Sequence, residues 1–590
     1  MEKWFVAAKK ADFNKISNRF HISPVTARII RNRDIIEMED IENYLHGDMS
    51  HLHSGRSMYH MEKGLEIIKN KIKEKKKIQI LGDYDIDGVN ATHILYTGIK
   101  RCGGIVSTAI PNRMKDGYGI NEHLIQEAFD HHIDTIITCD NGIAAIDAIK
   151  FGKDLGMTII VTDHHDIPYE EVINGNEITR KILRSTADAI INPKQEECQY
   201  PFKHLCGAGV AYKFIECLYE DMNIDKEELF PLIEFAAIAT VGDVMDLVGE
   251  NRIIVKEGLK RIKQTRNLGI KALMEVNHID QERLSSYHIG FVMGPCINAS
   301  GRLDTAKLAL QLLQAKTKEE ASTIAMDLKA LNDSRKAMTL EGTETAIQKI
   351  ETSPLKHDKV LVVYLPTCHE SLAGIIAGRI KERYHKPTFV LTDAEEGAKG
   401  SGRSIESYNM FEELVKCRDL FTKFGGHPMA AGLSLPIDKI GEMRERLNGL
   451  TNLSKDDFIP KVSIDVPMPI QYVSESFIQE LELLEPFGKG NPKPVFAEKD
   501  LNIINARILG KNKNVLKFQV LNQAGTMIEA MYFGDILGFE DYIIKKYSKE
   551  ELDKLYQNRD NAVYLSFTYY PSVNEYNGRK TLQIIVQNYM

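Results

Sequence analysis

Seven acidic and imidazole side chains closely follow runs of β-forming residues, and their types suit metal chemistry. They are Asp83, Asp85 and Asp87 after the run KIQIL, Asp140 after TIITC, and Asp163, His164 and His165 after TIIVT. Carboxylates that lie close together repel one another unless cations neutralise them. Carboxylate oxygens combined with imidazole nitrogen suit Mn²⁺ or Mg²⁺ better than structural zinc, which recruits thiolates. The pattern predicts a site for divalent metal ions.

Other interpretations exist for single members of this set. The segment DYDIDG resembles the start of a calcium-binding loop, but such a loop needs a glutamate at its twelfth position, where this chain has Ile94. Asp83 could instead cap the following helix. Asp140 precedes Asn141 and Gly142 and could belong to a plain turn. Two consecutive histidines after an aspartate at a strand end favour a functional role.

Alternating strands and helices between about residues 75 and 195 would position these side chains. The runs KIQIL, TAIPN, TIITC, TIIVT and ADAIIN are short and rich in β-branched residues, and segments with helical periodicity at 121–131 and 144–155 lie between them. This alternation predicts βαβ units and a mostly parallel sheet. Because ligands of such sheets bind outside the carboxyl ends of the strands, the acidic groups should meet in one crevice.

The rest of the chain predicts further domains. Residues from 205 to about 350 are helical in pattern, with helices at 209–222 and 318–351, and the region from about 357 to 455 is again α/β, with strands at 360–364 and 388–392 and a helix at 372–384. At 515–521, Leu516, Phe518 and Val520 alternate with polar residues, which predicts an antiparallel strand of a small β-barrel.

We therefore predict an α/β multidomain chain, in keeping with its length of 590 residues. Its parts are an N-terminal segment (1–50), a parallel-sheet lobe with a helical insertion (51–330), a connecting helix (331–352), a second α/β lobe (353–455) and a C-terminal β-barrel (460–590).

The bulk composition constrains partners and location. The net charge of −8 argues weakly against a nucleic-acid partner. However, Lys256, Lys260 and Lys263 share a predicted helix face near Arg252, Arg261 and Arg266, which could bind phosphate or be a solvated surface. The eight cysteines form no CxxC pair, and we see neither a signal peptide nor an apolar run of about 20 residues. We expect a cytoplasmic protein without membrane association.

Nine motifs resemble those of a known family. The segments DYDIDG (83–88), CDNG (139–142), TDHH (162–165) and TVGDVMDL (240–247) resemble, in order, the four motifs of the DHH phosphoesterase superfamily. Later segments resemble RecJ-type exonucleases: GPCINASGRLD (294–304), HESLAGIIAGRI (369–380), GSGRSI (400–405), FGGHPMAAGL (424–433) and LEPFGKGNPKPVF (484–496). The resemblance implies a DHH lobe, a DHHA1 lobe and a C-terminal OB-fold barrel.

The resemblance also implies roles for the acidic groups. Asp85 and Asp87 would hold one metal ion each, Asp140 would bridge both ions, and His164 and Asp243 would complete the second site. Asp163 would orient its neighbouring histidine, and His165 would touch the scissile phosphate. Asp83 could be a ligand or support one. Some relatives have a histidine ligand where this chain has Leu81, and Asp246 stands where the family leads us to expect proline.

The resemblance further implies substrate contacts, which are Asn112, Arg113, Arg302, His369, Arg379, Arg403, Gly425, Gly426 and His427. The segment FGGH resembles a glycine-rich loop whose backbone amides approach a phosphate, with a tight turn as the alternative. Each arginine could instead form a surface ion pair. In the barrel, Tyr532, Phe533 and Tyr570 are candidates for base stacking or for the core.

The implied activity is 5′-to-3′ exonucleolytic removal of 5′-mononucleotides from single-stranded DNA by two-metal-ion hydrolysis with Mn²⁺ or Mg²⁺, in DNA repair and recombination. Alternatives are a phosphodiesterase acting on short oligonucleotides or cyclic dinucleotides and a non-catalytic replication scaffold. The helical insertion and the β-rich block argue against the first, and the retained acids and histidines argue against the second. As partners we expect single-stranded DNA and a helicase or single-strand-binding protein, and we expect a monomer.

Overall fold

The structure is a computed structural model that describes residues 2–112, 116–117, 119–174, 177–303, 305–510, 512–576 and 578–590. Its first elements are β1 (Lys3–Val6), α1 (Phe13–Phe20), α2 (Pro24–Asn32) and α3 (Met38–His46). Helix α2 starts where the sequence favours a start, because the Ser23 side chain accepts a hydrogen bond from the Thr26 N–H and Pro24 occupies the first turn.

A five-stranded parallel sheet forms the centre of the first α/β lobe, in the order β3-β2-β4-β5-β8. The elements of this lobe are α4 (Met61–Lys73), β2 (Lys77–Leu81), α5 (Ile86–Arg101), β3 (Ile105–Ala109), α6 (Glu122–Asp130), β4 (Thr135–Cys139), α7 (Ile146–Asp154), β5 (Thr158–Thr162), β6 (Tyr169–Asn174), β7 (Glu177–Ile182) and β8 (Ala189–Ile191). Strand β4 is buried along its whole length, as helices on both faces of a parallel sheet require.

One predicted strand of this sheet was misplaced. The run TAIPN was expected to be a strand, but the strand is β3, which ends at Ala109, where its pairing with Leu81 of β2 ends. Pro111 has no N–H to donate to a ladder, so the pairing stops before it. The predictions for β2, β4 and β5 are confirmed.

A helical region follows, as predicted. Its helices are α8 (Gly207–Asp221), α9 (Lys226–Leu229), α10 (Ile233–Gly242), α11 (Gly249–Ile262), α12 (Leu268–Val276), α13 (Ser286–His288), α14 (Gly294–Leu303), α15 (Lys307–Gln314) and α16 (Lys318–Glu351). Helix α16 is the predicted long connecting helix. A π-helical turn, Ile289–Met293, joins α13 to α14 in one helical run.

The second α/β lobe has a mixed sheet in the order β12-β13-β11-β10-β9, in which only β9 and β10 are parallel. Its elements are β9 (Leu361–Tyr364), α17 (Ala373–Tyr384), β10 (Thr388–Asp393), β11 (Ala398–Arg403), α18 (Met410–Val415), β12 (Lys423–His427), β13 (Ala430–Leu435) and α19 (Ile440–Leu450).

The segment FGGH is not a loop, and this prediction was wrong. Gly425, Gly426 and His427 belong to the edge strand β12, where Gly425 pairs with Gly432 and Gly426 with Ala431. The two consecutive glycines suggested a loop. In the structure, the hairpin of β12 and β13 needs a glycine at position 426. A Cβ on Gly426 would lie 2.4 Å from the carbonyl oxygen of Ala430.

The C-terminal region contains a closed five-stranded barrel, as predicted. Its strands follow the order β16-β17-β18-β20-β19, and β19 also pairs with β16. The elements are β14 (Lys461–Ile464), β15 (Val466–Pro467), α20 (Glu475–Glu482), β16 (Phe496–Leu509), β17 (Val515–Leu521), β18 (Met527–Tyr532), α21 (Ile536–Lys546), α22 (Lys549–Tyr556), β19 (Tyr564–Tyr576) and β20 (Arg579–Tyr589). Leu516, Phe518 and Val520 of β17 are buried in the barrel, which confirms the predicted alternation.

By their contacts, the residues form two compact units, and each is discontinuous in sequence. The larger unit contains residues 53–245 and 254–460, and the smaller one contains 2–52, 246–253 and 461–590. The smaller unit therefore combines the barrel with the N-terminal helices. Among the described helices, none has both the length and the apolar character needed to cross a membrane.

Arg252 lies at the centre of the smaller unit. Its guanidinium is buried, donates hydrogen bonds to the carbonyl oxygens of Tyr44 (2.9 Å), Leu483 (3.0 Å) and Leu484 (3.0 Å), and stacks over the Tyr44 ring. Arg252 is therefore a structural residue and does not contribute to the basic surface predicted from the spacing of Lys256, Lys260 and Lys263. Nearby, Lys260 forms an ion pair with Glu257, which favours the solvated-surface interpretation for this helix.

Candidate metal centre

The carboxyl ends of β2, β4 and β5 bring acidic and imidazole side chains into one cluster, as expected for a parallel sheet. The Nε2 atom of His164 lies 3.1 Å from Oδ1 of Asp140, 3.5 Å from Oδ2 of Asp87 and 3.9 Å from Oδ2 of Asp243. Asp243 comes from the end of α10, so the helical region contributes directly to the cluster.

Three overlapping groups in this cluster have ligand atoms close enough to hold metal ions. They are Asp83, Asp85 and Asp140; Asp87, His164 and Asp243; and Asp140, His164 and His165. Within each group the ligand atoms lie within 4.8 Å of one another. Asp140 and His164 each belong to two groups, so they lie between the potential ion positions.

Backbone amides hold two of the aspartates in place. The carboxylate of Asp87 accepts hydrogen bonds from the N–H groups of Gly207 (2.6 Å) and Ala208 (2.7 Å), at the start of α8. Asp85 caps α5 by accepting from the N–H groups of Asp87 (2.9 Å) and Gly88 (3.1 Å). Both carboxylates therefore lie at helix N-termini, where the helix dipole stabilises negative charge.

The carboxylate of Asp163 holds His164 and His165 in place through hydrogen bonds. Its Oδ1 atom accepts a hydrogen bond from the N–H of His164 (2.7 Å) and lies 2.8 Å from Nδ1 of His165, while its Oδ2 accepts from the N–H of Ile143 (2.9 Å). Burial alone would raise the pKa of Asp163, but the hydrogen bond and charge of His165 lower it. The structure thus pairs Asp163 with His165.

The electrostatics of the cluster call for cations. Burial, together with the neighbouring Asp85, raises the pKa of Asp83 to about 8, and burial with repulsion from the other carboxylates also raises the pKa values of Asp85 and Asp140. Both carboxylate oxygens of Asp83 are buried without a hydrogen-bond donor among the described residues. Acceptors without donors, in a site of repelling carboxylates, fit divalent metal ions.

The two histidines differ in charge. Burial lowers the pKa of His164, which leaves its ring neutral and able to coordinate a metal ion. Burial would also lower the pKa of His165, but its hydrogen bond to Asp163 and the surrounding carboxylates raise that pKa to about 9. The His165 side chain is 44% exposed, so its ring lies at the mouth of the cluster.

Two positions that depart from the family pattern lie outside the ligand groups. Leu81 is fully buried and provides no ligand where some relatives have histidine. Asp246 belongs to the smaller unit and lies 3.6 Å from Nζ of Lys489.

Two of the predicted substrate contacts, Arg302 and His369, meet at Ser371, where α14 contacts the second lobe. Nη1 of Arg302 donates to the carbonyl oxygen of Ser371 (2.8 Å), and Nδ1 of His369 lies 2.8 Å from the Ser371 hydroxyl. Arg403 on β11 donates to the carbonyl oxygen of Gly402 (2.7 Å), and burial lowers its pKa.

The remaining predicted contacts lie elsewhere. Asn112 follows β3, and its N–H donates to Asp116 (2.8 Å). Arg113 lies outside the described residues. Gly425, Gly426 and His427 lie on the exposed edge strand of the second lobe.

Neither Arg335 nor Asn298 was singled out from the sequence as a candidate site residue. Arg335 on α16 is half-buried near Arg379, and burial together with the Arg379 charge lowers its pKa. Among the described residues, no carboxylate lies within ion-pair distance of Arg335, Arg379 or Arg403. Asn298 on α14 accepts a hydrogen bond from the N–H of Ile86 (2.8 Å), directly after Asp85. Helical spacing within the later motifs could have indicated Asn298, but no local signal indicated Arg335.

The stacking candidates in the barrel separate clearly. Tyr570 is buried beneath Lys493, and Tyr532 packs against Phe539. Only Phe533 of the three is well exposed, at 61%. Tyr532 and Tyr570 are core residues.

Comparisons with known proteins agree with this architecture. Sequence models match the N-terminal domain of the DHH family over residues 77–242, the DHHA1 domain over 357–452 and the RecJ OB domain over 464–588. The single-stranded-DNA-specific exonuclease RecJ of Bacillus subtilis (strain 168) is 32% identical, over 99% of this chain and 70% of that protein. The protein of the same name from Escherichia coli (strain K12) is 31% identical over 96% of both chains.

A solved structure has the same fold. The crystal structure of RecJ from Thermus thermophilus in complex with Mn²⁺ matches with a TM-score of 0.81 and 23% identity, covering 100% of this chain and 79% of that one. At this identity the likeness establishes the fold.

Proposed function

Because the chain belongs to the RecJ family and is a metal-dependent nuclease, we propose that it removes 5′-mononucleotides from single-stranded DNA in the 5′-to-3′ direction. The single observation that carries the hydrolytic part of this proposal is the convergence of Asp87, Asp140, His164 and Asp243 at the carboxyl edge of the parallel sheet, while the direction and the product follow from the family resemblance. Its relatives from Bacillus subtilis and Escherichia coli are named for activity on single-stranded DNA.

The cluster would hold two divalent ions, Mn²⁺ or Mg²⁺. Asp83, Asp85 and Asp140 would supply ligands for one ion and Asp87, His164 and Asp243 for the other, and Asp140, which lies 3.1 Å from Nε2 of His164, would serve both. Bound divalent ions would neutralise charge on the phosphate and lower the pKa of a water molecule, so that hydroxide is available near neutral pH. No side-chain nucleophile is required.

The remaining residues bind and orient the substrate. His165 hydrogen-bonds to Asp163 through Nδ1, and its half-exposed ring would contact the scissile phosphate. Arg379 and Arg403 have no carboxylate partner among the described residues, so their guanidinium groups are available for phosphate oxygens. Arg302 on α14 donates to the carbonyl oxygen of Ser371, whose hydroxyl lies beside His369, so this contact joins the helical region to the second lobe.

A phosphodiesterase of short oligonucleotides or cyclic dinucleotides is the alternative. The helical region and the closed barrel argue against it, because a small substrate needs no extended binding surface. An OB barrel commonly binds single strands through stacking and basic grooves. The two substrate classes are separated by the following experiment.

The test incubates a single strand labelled at its 5′ end or at its 3′ end, and in parallel a labelled dinucleotide, with Mn²⁺, Mg²⁺ or no divalent ion. We expect the 5′ label to appear at once in a mononucleotide, while the 3′ label stays on strands that shorten progressively, only when metal is present. Early release of the 3′ label would reverse the direction, and exclusive cleavage of dinucleotides would favour the alternative. A duplex with blunt ends should resist.

The role in DNA repair and recombination, the helicase or single-strand-binding partner, the monomeric state and the cytoplasmic location remain predictions from sequence. The same holds for the domain boundaries and for the role of each site residue. Measuring the molecular mass of the purified protein in solution, alone and with single-stranded DNA, would test the predicted monomeric state.

A further inference from the structure

Two aromatic side chains on the helical run from α13 to α14 are exposed without a partner in the protein core. Tyr287 is 62% exposed and Phe291 is 70% exposed. Their ring centroids lie 5.2 Å apart, and the ring planes differ by 28°, so the two rings are stacked. Exposed, adjoining aromatic surface has a free-energy cost in water, and such patches commonly mark binding sites.

The same helical run supports the metal centre. Asn298 accepts the hydrogen bond from the Ile86 N–H, and a Cβ on Gly301 would lie 2.3 Å from the carbonyl oxygen of Tyr84, between Asp83 and Asp85. A Cβ on Gly290 would touch the Val241 side chain at 3.5 Å. Because Phe291 follows Gly290 and Asp243 follows Val241 by two residues, the Cα atoms of Phe291 and Asp243 lie within about 17 Å.

The backbone at this point is unusual. Phe291 is the central residue of the π-helical turn Ile289–Met293. Such turns are rare and are found mostly inside helices at functional sites. The turn and the exposed rings are independent features of the same short stretch of chain.

We propose that Tyr287 and Phe291 form a base-stacking platform for the single strand beside the metal centre. The inference rests on the proposed function, because it takes single-stranded DNA as the ligand. Stacking on aromatic rings suits a nuclease that accepts any sequence, since every base has a π-face. A strand is the favoured ligand because the platform adjoins the elements that hold the metal ligands. A protein partner on the same rings is the outcome that would overturn the proposal.

The first measurement compares the affinity for a single strand, by fluorescence anisotropy, of the wild type and the variants Phe291→Ala and Tyr287→Ala. Loss of one stacking contact should weaken binding about 5- to 150-fold. Phe291→Tyr should bind like the wild type, and Phe291→Leu, which keeps an apolar side chain without a ring, should bind like Phe291→Ala. Equal binding by all variants, or full rescue by leucine, would overturn the platform.

The matched control is Phe129→Ala. Phe129 is also an exposed phenylalanine, at 41%, but it lies near the end of α6, before the start of β4 and thus at the opposite edge of the sheet. This variant should bind single strands like the wild type. The melting temperature of Phe291→Ala should match that of the wild type, because the Phe291 side chain is largely exposed, and that of Phe129→Ala should fall by no more than a few degrees, because Phe129 is partly exposed.

The second measurement distinguishes stacking from an indirect effect. A series of strands, each with one abasic position, is bound to the wild type and to Phe291→Ala. At one position the missing base should weaken binding to the wild type but not to the variant, because the contact is already absent. If the loss of affinity from the abasic position and the loss from Phe291→Ala add at every position, the proposal is overturned. If the wild type fails to hydrolyse any strand, the proposed function fails, while this binding cycle still decides the platform.

Discussion

At the scale of single residues, Asp140 combines an uncommon backbone conformation with a place between two ligand groups. Its φ of 62° lies in the left-handed region, where aspartate and asparagine are the side chains best tolerated after glycine. Asparagine can therefore replace it without backbone strain and without change of shape. The substitution removes the negative charge and replaces one possible ligand oxygen by an amide nitrogen.

We expect Asp140→Asn to lower the rate of strand hydrolysis about 100-fold or more, because loss of a ligand costs at least as much as loss of a residue that supports one. The variant should also lose most of the rise in melting temperature that Mn²⁺ gives the wild type. Both effects are measured by single-turnover kinetics and by thermal unfolding with increasing Mn²⁺.

The matched control for this prediction is Asp166→Asn. Asp166 follows Asp163 by three residues, has a side chain that is 94% exposed, and forms an ion pair with Lys194 outside the ligand groups. It should leave both measurements unchanged. Wild-type hydrolysis by Asp140→Asn would contradict the assignment of Asp140.

The sequence predicted the acids of the cluster because they follow strands, and strand ends are local features. It predicted Asp243 only through a motif, since a helix terminus in a distant region gives no periodicity that points to the sheet. Arg335 was missed for the same reason, because its neighbour Arg379 is on another helix and 44 positions away in sequence. Long-range proximity is set by packing, which spacing does not encode.

At the scale of elements, the start of α8 is the contact on which the cluster depends most closely. Gly207 donates its N–H to Asp87, and a Cβ on Gly207 would lie 2.6 Å from the Cβ of Asp140. A side chain cannot fit there without moving α8 or β4. The helix start and the strand end must therefore keep their present separation.

We expect Gly207→Ala to lower hydrolysis at least about 10-fold, because it displaces Asp87, Asp140 or both from positions that must be held within about 0.5 Å. The control is Gly441→Ala in α19, where the new Cβ would meet nothing within 4 Å. This change should leave activity intact and can raise stability slightly, since alanine favours helices. Equal activity of both variants would show that the structure around Gly207 can accommodate a methyl group without displacing Asp87 or Asp140.

The elements themselves were largely predictable. Strands β4, β5 and β17 and helix α16 fall where their apolar patterns place them, because burial on a sheet or helix face follows the local period. Strand β3 and the glycine-containing strand β12 do not lie where the sequence pattern predicted. In both cases the pairing partner decides the outcome, and this partner lies far away in the sequence or is itself low in β propensity.

At the scale of the whole molecule, the N-terminal helices and the barrel share one core. Ile29, Ile30 and Leu45 of the N-terminal helices belong to the same buried cluster as Phe496 and Phe518 of the barrel. The boundary predicted near residue 460 separates residues that pack together. A chain that ends there loses the barrel and also the residues that cover the N-terminal helices.

We expect a chain that ends at Pro460 to expose this core and to leave the Arg252 guanidinium without the carbonyl groups of Leu483 and Leu484. Each apolar side chain of residues 2–52 that loses its cover would forfeit about 1.5–3 kcal/mol of burial free energy. Limited proteolysis should therefore cut residues 2–52 much faster in the truncated chain than in the full chain. The full-length variant Phe533→Ala, changed at an exposed barrel residue, serves as the control and should keep the protection.

The discontinuous smaller unit has a consequence for how the chain is made. Its N-terminal part, residues 2–52, leaves the ribosome about 400 residues before Lys461, the first residue of the last part. At about 5–20 residues per second, apolar side chains such as Ile29 and Leu45 wait about 20 to 80 s for their partners. Synthesis in the cell should therefore make this segment a client of chaperones that hold nascent chains.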